Sequence, residues 1–100
     1  MNTPGADADS HTLVRDLAIV NQRGLHARAS AKFVSLVSGF DALVSVEKDG
    51  VSVGGTSIMG LMMLAASPGC SIRVSASGRD ARAVMDAIEA LVASRFGEEA

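Results

Sequence analysis

Residues 42–53 read ALVSVEKDGVSV and contain the clearest fold signal in the chain. Val44 and Val46 alternate with polar residues, as on a strand with one buried face. Asp49 and Gly50 follow as a dipeptide typical of two-residue hairpin turns, and Val51 opens a second short strand. The segment therefore predicts two antiparallel strands joined by a tight turn.

The same reasoning, extended in both directions, predicts two more strands and three helices. Alternation predicts strands at residues 12–20 and 70–76, and apolar residues at helical spacing predict helices at 27–37, 57–64 and 80–95. The resulting order is β-α-β-β-α-β-α. Because apolar and polar residues alternate along the strands, one face of the antiparallel sheet should be exposed to solvent and the other covered by the helices. This arrangement is an α+β fold.

Composition limits the domain organisation and the setting in which the protein works. Residues 1–11 (MNTPGADADSH) lack an apolar period and predict a disordered tail, whereas residues 12–100 predict one domain. Cys70 is the only cysteine, which fits a reducing compartment. The first residues do not resemble a secretory signal, and no apolar run approaches the ~20 residues of a membrane span. We therefore expect a cytoplasmic protein.

Several classes of function are disfavoured by what the sequence lacks. A net charge of −2 and only three aromatic residues disfavour nucleic-acid binding and attraction to an anionic membrane. His11, His26 and Cys70 do not have the spacing of metal ligands. No Walker-type loop is present, so ATP binding is not expected. We expect no cofactor and no metal.

Residues 24–30, GLHARAS, hold the strongest chemical signal, at the point where a strand gives way to a helix. They place His26 at a helix N-terminus, where unpaired amides and the helix dipole favour an anion. A neutral imidazole is a nucleophile near neutral pH. The amides of Ala27 and Arg28, with the Arg28 guanidinium, supply the several donors that a phosphoryl group needs. This combination predicts a group that accepts and releases phosphate.

The predicted helix at 57–64 is rich in methionine and begins at a serine or threonine suited to capping. Leu61 and Leu64 are expected in the core. A helix this short cannot bury every side, so we expect an exposed patch for docking partners, formed by Ile58, Met59, Met62 and Met63.

Two motifs, GLHAR at 24–28 and SIMG at 57–60, give the chain a resemblance to the HPr family, the histidine-containing phosphocarriers of the bacterial phosphoenolpyruvate-dependent phosphotransferase system. The resemblance covers about residues 12–96. It implies an open-faced β-sandwich in which three helices cover one face of a four-stranded antiparallel sheet. It also implies a carrier that forms a phosphohistidine rather than a stand-alone catalyst.

The resemblance further implies roles for individual residues and for partners. His26 would be phosphorylated on Nδ1 by enzyme I, which takes the group from phosphoenolpyruvate, and would pass it to an enzyme IIA-type domain. Arg28 matches the family's active-site arginine. Ser57 matches the serine that HPr kinase/phosphorylase modifies in bacteria possessing that enzyme. We expect the carrier to be a monomer.

One departure from the family pattern leaves alternatives open. Many members have Pro-Ala after the arginine, where this chain has Ala29 and Ser30; alanine is a strong helix former, so the turn should still form. The variant resembles proteobacterial members that serve regulation, including the nitrogen-related branch. The alternative is thus a regulatory module of that branch, binding partners through the Met-rich helix. A second rival is a ferredoxin-like domain that binds a small ligand or RNA.

Overall fold

The computed structural model describes residues 12–98. Its seven main elements follow the predicted order: β1 (Leu13–Ala18), α1 (Ala27–Val37), β2 (Leu43–Lys48), β3 (Val51–Gly54), α2 (Ile58–Met63), β4 (Ser71–Ser77) and α3 (Ala81–Ala93). A single 3₁₀ turn, Arg95–Gly97, follows α3. The predicted disordered tail at residues 1–11 lies outside the described residues.

The four strands form one antiparallel sheet in the order β1-β4-β2-β3. The predicted hairpin is confirmed: Lys48 pairs with Val51, which leaves two residues in the turn. Asp49 and Gly50 both have positive φ, 52° and 83°. Two positive φ values define the type I′ turn, whose twist matches that of the flanking strands.

One face of the sheet packs against the three helices and forms the core. The alternating apolar residues of the strands point to this face, and the helices add their apolar stripes. The largest fully buried side chains are Phe33, Ile19, Leu61, Ile72, Met85, Ile88, Val37, Val46, Val74 and Val84. The predicted α+β fold with helices on one face is therefore confirmed.

The opposite face of the sheet carries mainly polar side chains. Asp16 and Arg73 are directly paired across β1 and β4, and their side chains form an ion pair with a 2.9 Å separation. Arg15, one position earlier, instead reaches α3 and forms ion pairs with Asp86 and Glu89.

The end of the predicted C-terminal helix differs from the sequence expectation. The helix ends at Ala93 rather than Arg95, because Arg95 and Phe96 adopt positive φ values of 61° and 54°. This left-handed turn is costly for residues other than glycine. It is compensated by the burial of Phe96, which is 2% exposed. The turn also directs the chain back towards the start of α1.

Candidate phosphoryl-transfer site

The loop between β1 and α1 is held in place by close backbone packing. Gly24 has a φ of 64°, and a β-carbon at this position would lie 2.1 Å from the carbonyl oxygen of Ala66. The next amide, that of Leu25, donates a hydrogen bond to the same oxygen at 2.9 Å. Leu25 itself is buried. Only glycine therefore allows the loop to approach the segment after α2 so closely.

His26 is the N-cap residue of α1, as predicted. Its carbonyl accepts the hydrogen bond from the Ser30 amide at 2.9 Å, the first bond of the helix. The amides of the first turn have no intrahelical partner. In the described part of the chain, the His26 side chain does not cap them. The positive end of the α1 dipole is thus available to an anion beside the imidazole.

The variant residues Ala29 and Ser30 are compatible with this helix start. Both are buried, and α1 begins at Ala27 without a proline. The Ser30 hydroxyl donates to the carbonyl oxygen of Leu25 at 3.2 Å. The expectation that the turn forms with Ala-Ser is confirmed.

The imidazole of His26 is hydrogen-bonded to a carboxylate from the far end of the chain. Its Nε2 lies 2.8 Å from Oε2 of Glu98, the residue after the 3₁₀ turn. The side chains are largely covered, with exposed fractions of 17% for His26 and 15% for Glu98. The ring therefore lies at the edge of the surface, in a fixed orientation, rather than in the interior.

Glu98 is fixed by two further donors. The amide nitrogen of the Asn21 side chain donates to Oε2 at 2.8 Å, and the backbone amide of Arg23 donates to Oε1 at 3.3 Å. The bond from Asn21, with those from His26 and Arg23, lowers the pKa of the Glu98 carboxyl, against the raising effect of burial. Glu98 is consequently a carboxylate at neutral pH.

A small cleft beside the imidazole brings cationic side chains to the same place. Its lining consists of His26, Arg28, Ala29, Lys32, Phe96, Gly97 and Glu98. The ammonium of Lys32 donates to the carbonyl oxygen of Phe96 at 2.7 Å, which fastens α1 to the 3₁₀ turn. Arg28 is exposed at the start of the helix. The cleft thus combines an imidazole, two cations and one carboxylate.

The second predicted site, the start of α2, also has the expected form. Ser57 is the N-cap, and its hydroxyl accepts a hydrogen bond from the Gly60 amide at 2.9 Å. Leu61 and Leu64 are buried as predicted. All four residues of the predicted docking patch are exposed, with exposed fractions of 40% for Ile58, 69% for Met59, 39% for Met62 and 75% for Met63.

The sequence predicted His26 and Arg28 at this place but did not predict Glu98, Asn21 or Lys32 there. Glu98 is distant from His26 along the chain, so no local motif connects them. The sequence pattern predicts only a turn at Asn21, although Asn21 is fully buried and its side-chain amide also donates to the Gly24 carbonyl at 2.8 Å.

Between residues 12 and 98, no cluster of three or more histidine, cysteine, aspartate or glutamate side chains is arranged to hold a metal ion. None of the described helices has the length and apolar character needed to cross a membrane.

Comparison with known families gives a match over most of the chain. The sequence model described as "PTS HPr component phosphorylation site" matches residues 13–94. The phosphocarrier protein HPr of Cupriavidus necator is 48% identical, over 86% of this chain and 97% of the relative. The phosphocarrier protein NPr of Shewanella violacea is 41% identical, over 86% of this chain and 94% of the relative.

Solved structures show the same fold. A crystal structure of HPr from Thermoanaerobacter tengcongensis superposes with a TM-score of 0.84 at 41% identity, covering 88% of this chain and 99% of that one. A crystal structure of an HPr dimer from the same organism has a TM-score of 0.70 at 43% identity, covering 82% and 94%.

Proposed function

Because the chain belongs to the HPr family of phosphocarriers, we propose that His26 receives a phosphoryl group from phospho-enzyme I, ultimately from phosphoenolpyruvate. His26 then passes this group to an enzyme IIA-type domain. The observation that carries this proposal is the place of His26 at the N-terminus of α1, beside Arg28 and first-turn amides that have no intrahelical partner. A phosphoryl group on this ring would lie near amide hydrogen-bond donors and the positive charge of Arg28.

The step needs little catalytic machinery in the carrier. The donor's N–P bond breaks as a lone pair of the His26 ring forms a new N–P bond, and the donor ring keeps the electron pair of the broken bond. Such transfer depends on in-line positioning and on neutralising the charge of the phosphoryl oxygens. Ala27 and Arg28 supply amides and Arg28 a guanidinium for this purpose. Because the ring lies at the edge of the surface, the group would be accessible to the next acceptor.

Ser57 is proposed as a regulatory phosphorylation site for hosts that contain HPr kinase/phosphorylase. Ser57 is exposed, and its hydroxyl caps α2, the helix that carries the docking patch. A phosphate there would add up to two negative charges beside that patch and alter contacts with enzyme I.

The docking patch is proposed to contact enzyme I and the IIA-type acceptor. The bond between Leu25 and Ala66 supports this role, because it holds the His26 loop against the segment after α2. A regulatory module that binds partners through the same patch is the second candidate. The relative named HPr is 48% identical and the one named NPr is 41% identical, which favours the HPr interpretation over the nitrogen-related alternative. We propose a cytoplasmic monomer as the acting form.

The decisive experiment is labelling with purified enzyme I and ³²P-phosphoenolpyruvate. We expect an acid-labile, alkali-stable label on the wild type and none on His26→Ala. His11→Ala, in which the other histidine is changed, is the control and should be labelled like the wild type. Normal labelling of His26→Ala would contradict the proposal.

A further inference from the structure

We propose that Glu98 is a positioning residue for phosphoryl transfer: it holds the His26 proton on Nε2, directs the reactive lone pair to Nδ1 and balances the charge that the ring acquires. The inference rests on the proposed function and assigns a role to a residue outside both sequence motifs.

The assignment of the proton follows from the hydrogen bond between the two side chains. Glu98 Oε2 lies 2.8 Å from His26 Nε2, and an ionised carboxylate can only accept. Nε2 must therefore carry the proton. A neutral imidazole has one N–H and one unprotonated nitrogen, so the lone pair is on Nδ1. Among the two ring nitrogens, Nδ1 is the one able to attack phosphorus.

The carboxylate is held independently of His26, as a positioning group must be. Asn21 donates to Glu98 Oε2 through one amide hydrogen and to the Gly24 carbonyl through the other, both at 2.8 Å. Asn21 is fully buried, so this anchor does not depend on surface side chains. The Arg23 amide holds the second carboxylate oxygen. The geometry at Nε2 therefore exists before any partner arrives.

The charge balance of the transfer explains why a carboxylate is suited to this place. When the Nδ1 lone pair forms the N–P bond, the proton stays on Nε2 and the ring acquires one positive charge. That charge faces Glu98 directly. Onward transfer returns the electron pair to Nδ1 and removes the charge. Glu98 consequently stabilises the phosphorylated ring, while Arg28 and Lys32, which line the same cleft, supply positive charge near the place that the phosphoryl group would occupy.

Two substitutions separate the two parts of this role. Glu98→Gln keeps an oxygen that accepts from Nε2 but removes the charge, whereas Glu98→Ala removes both. Glu47→Gln is the control, because it removes one negative charge on the helix-free face of the sheet, where Glu47 lies near Asp16 and Arg73. Each variant is used as the full chain.

The first measurement is made on the unphosphorylated protein with ¹⁵N-labelled histidine. We expect an Nε2–H proton that exchanges slowly with water in the wild type and in Glu47→Gln. It should be lost to fast exchange in Glu98→Ala. Persistence of the slow Nε2–H signal in Glu98→Ala would overturn the proposal.

The second measurement is the phosphoryl-exchange equilibrium with enzyme I. We expect the constant for formation of the phosphorylated carrier to fall about tenfold in Glu98→Gln, the change equivalent to one pKa unit. Glu98→Ala should also receive phosphate more slowly. Wild-type values in both variants would overturn the proposal. Absence of label on the wild type would instead overturn the carrier function, so the two failures are distinguishable.

Discussion

The backbone amide of Leu25 donates to the carbonyl oxygen of Ala66 at 2.9 Å, which fastens the loop that carries His26 to the segment that follows α2. Gly24, the residue before Leu25, packs against the same carbonyl. The histidine loop and the docking patch are thereby held in one geometry. A partner that contacts the exposed side chains of α2 would meet the imidazole in a defined place.

Gly24→Ala should disrupt the packing of the His26 loop against the Ala66 carbonyl. The new β-carbon would lie 2.1 Å from the Ala66 oxygen in a left-handed conformation. We expect a loss of at least ~2 kcal/mol in the free energy of unfolding, measured by urea denaturation. Gly50→Ala is the matched control, because Gly50 has a φ of 83° and open space around it. The free energy of unfolding of that variant should fall by only ~1–2 kcal/mol, which is the cost of the backbone strain. Equal losses in the two variants would contradict the proposed packing.

Arg28→Ala should slow phosphoryl transfer and leave the fold intact. Arg28 is exposed and lines the cleft beside His26. Loss of one stabilising group from an enclosed site lowers a reaction rate by ~10²–10³. Because Arg28 is exposed and its charge is screened by solvent, we expect the transfer rate to fall by roughly 10- to 100-fold. Initial labelling rates with enzyme I measure the change. Arg82→Ala, which removes an exposed arginine from α3, should have the wild-type rate. An unchanged rate in Arg28→Ala would show that Arg28 does not contribute to phosphoryl transfer.

Substitutions of Ser57 should separate its capping role from its regulatory role. Ser57→Ala loses the bond from the Gly60 amide, and we expect a cost of ~1 kcal/mol with little change in labelling. Aspartate is also a good N-cap, so Ser57→Asp should keep its stability. Its added charge should weaken binding to enzyme I, measured by calorimetry. Wild-type affinity in Ser57→Asp would argue against the switch.

Features encoded by local patterns were predictable from the sequence, and features made by contacts distant along the chain were not. The Asp49-Gly50 turn and the bounds of α1 follow from residue type and spacing. The left-handed turn at Phe96 does not, because its cost is offset by burial in a core that a local pattern cannot show. For the same reason, the place of His26 at a helix start was predictable from the local sequence, whereas its contact with Glu98 is visible only in the folded structure.

The Glu98 carboxylate should also make stability depend on pH. Hydrogen bonds from Asn21, His26 and Arg23 lower its pKa in the folded protein. A lowered pKa stabilises the fold above the ordinary carboxyl value of about 4.3, and this contribution is lost as pH falls through the lowered value. Protonated glutamate resembles glutamine. Denaturation of Glu98→Gln and wild type from pH 7 to pH 2 should therefore give a stability difference that shrinks below about pH 4. A difference that persists undiminished at pH 2 would show that Glu98 is not preferentially ionised in the folded state.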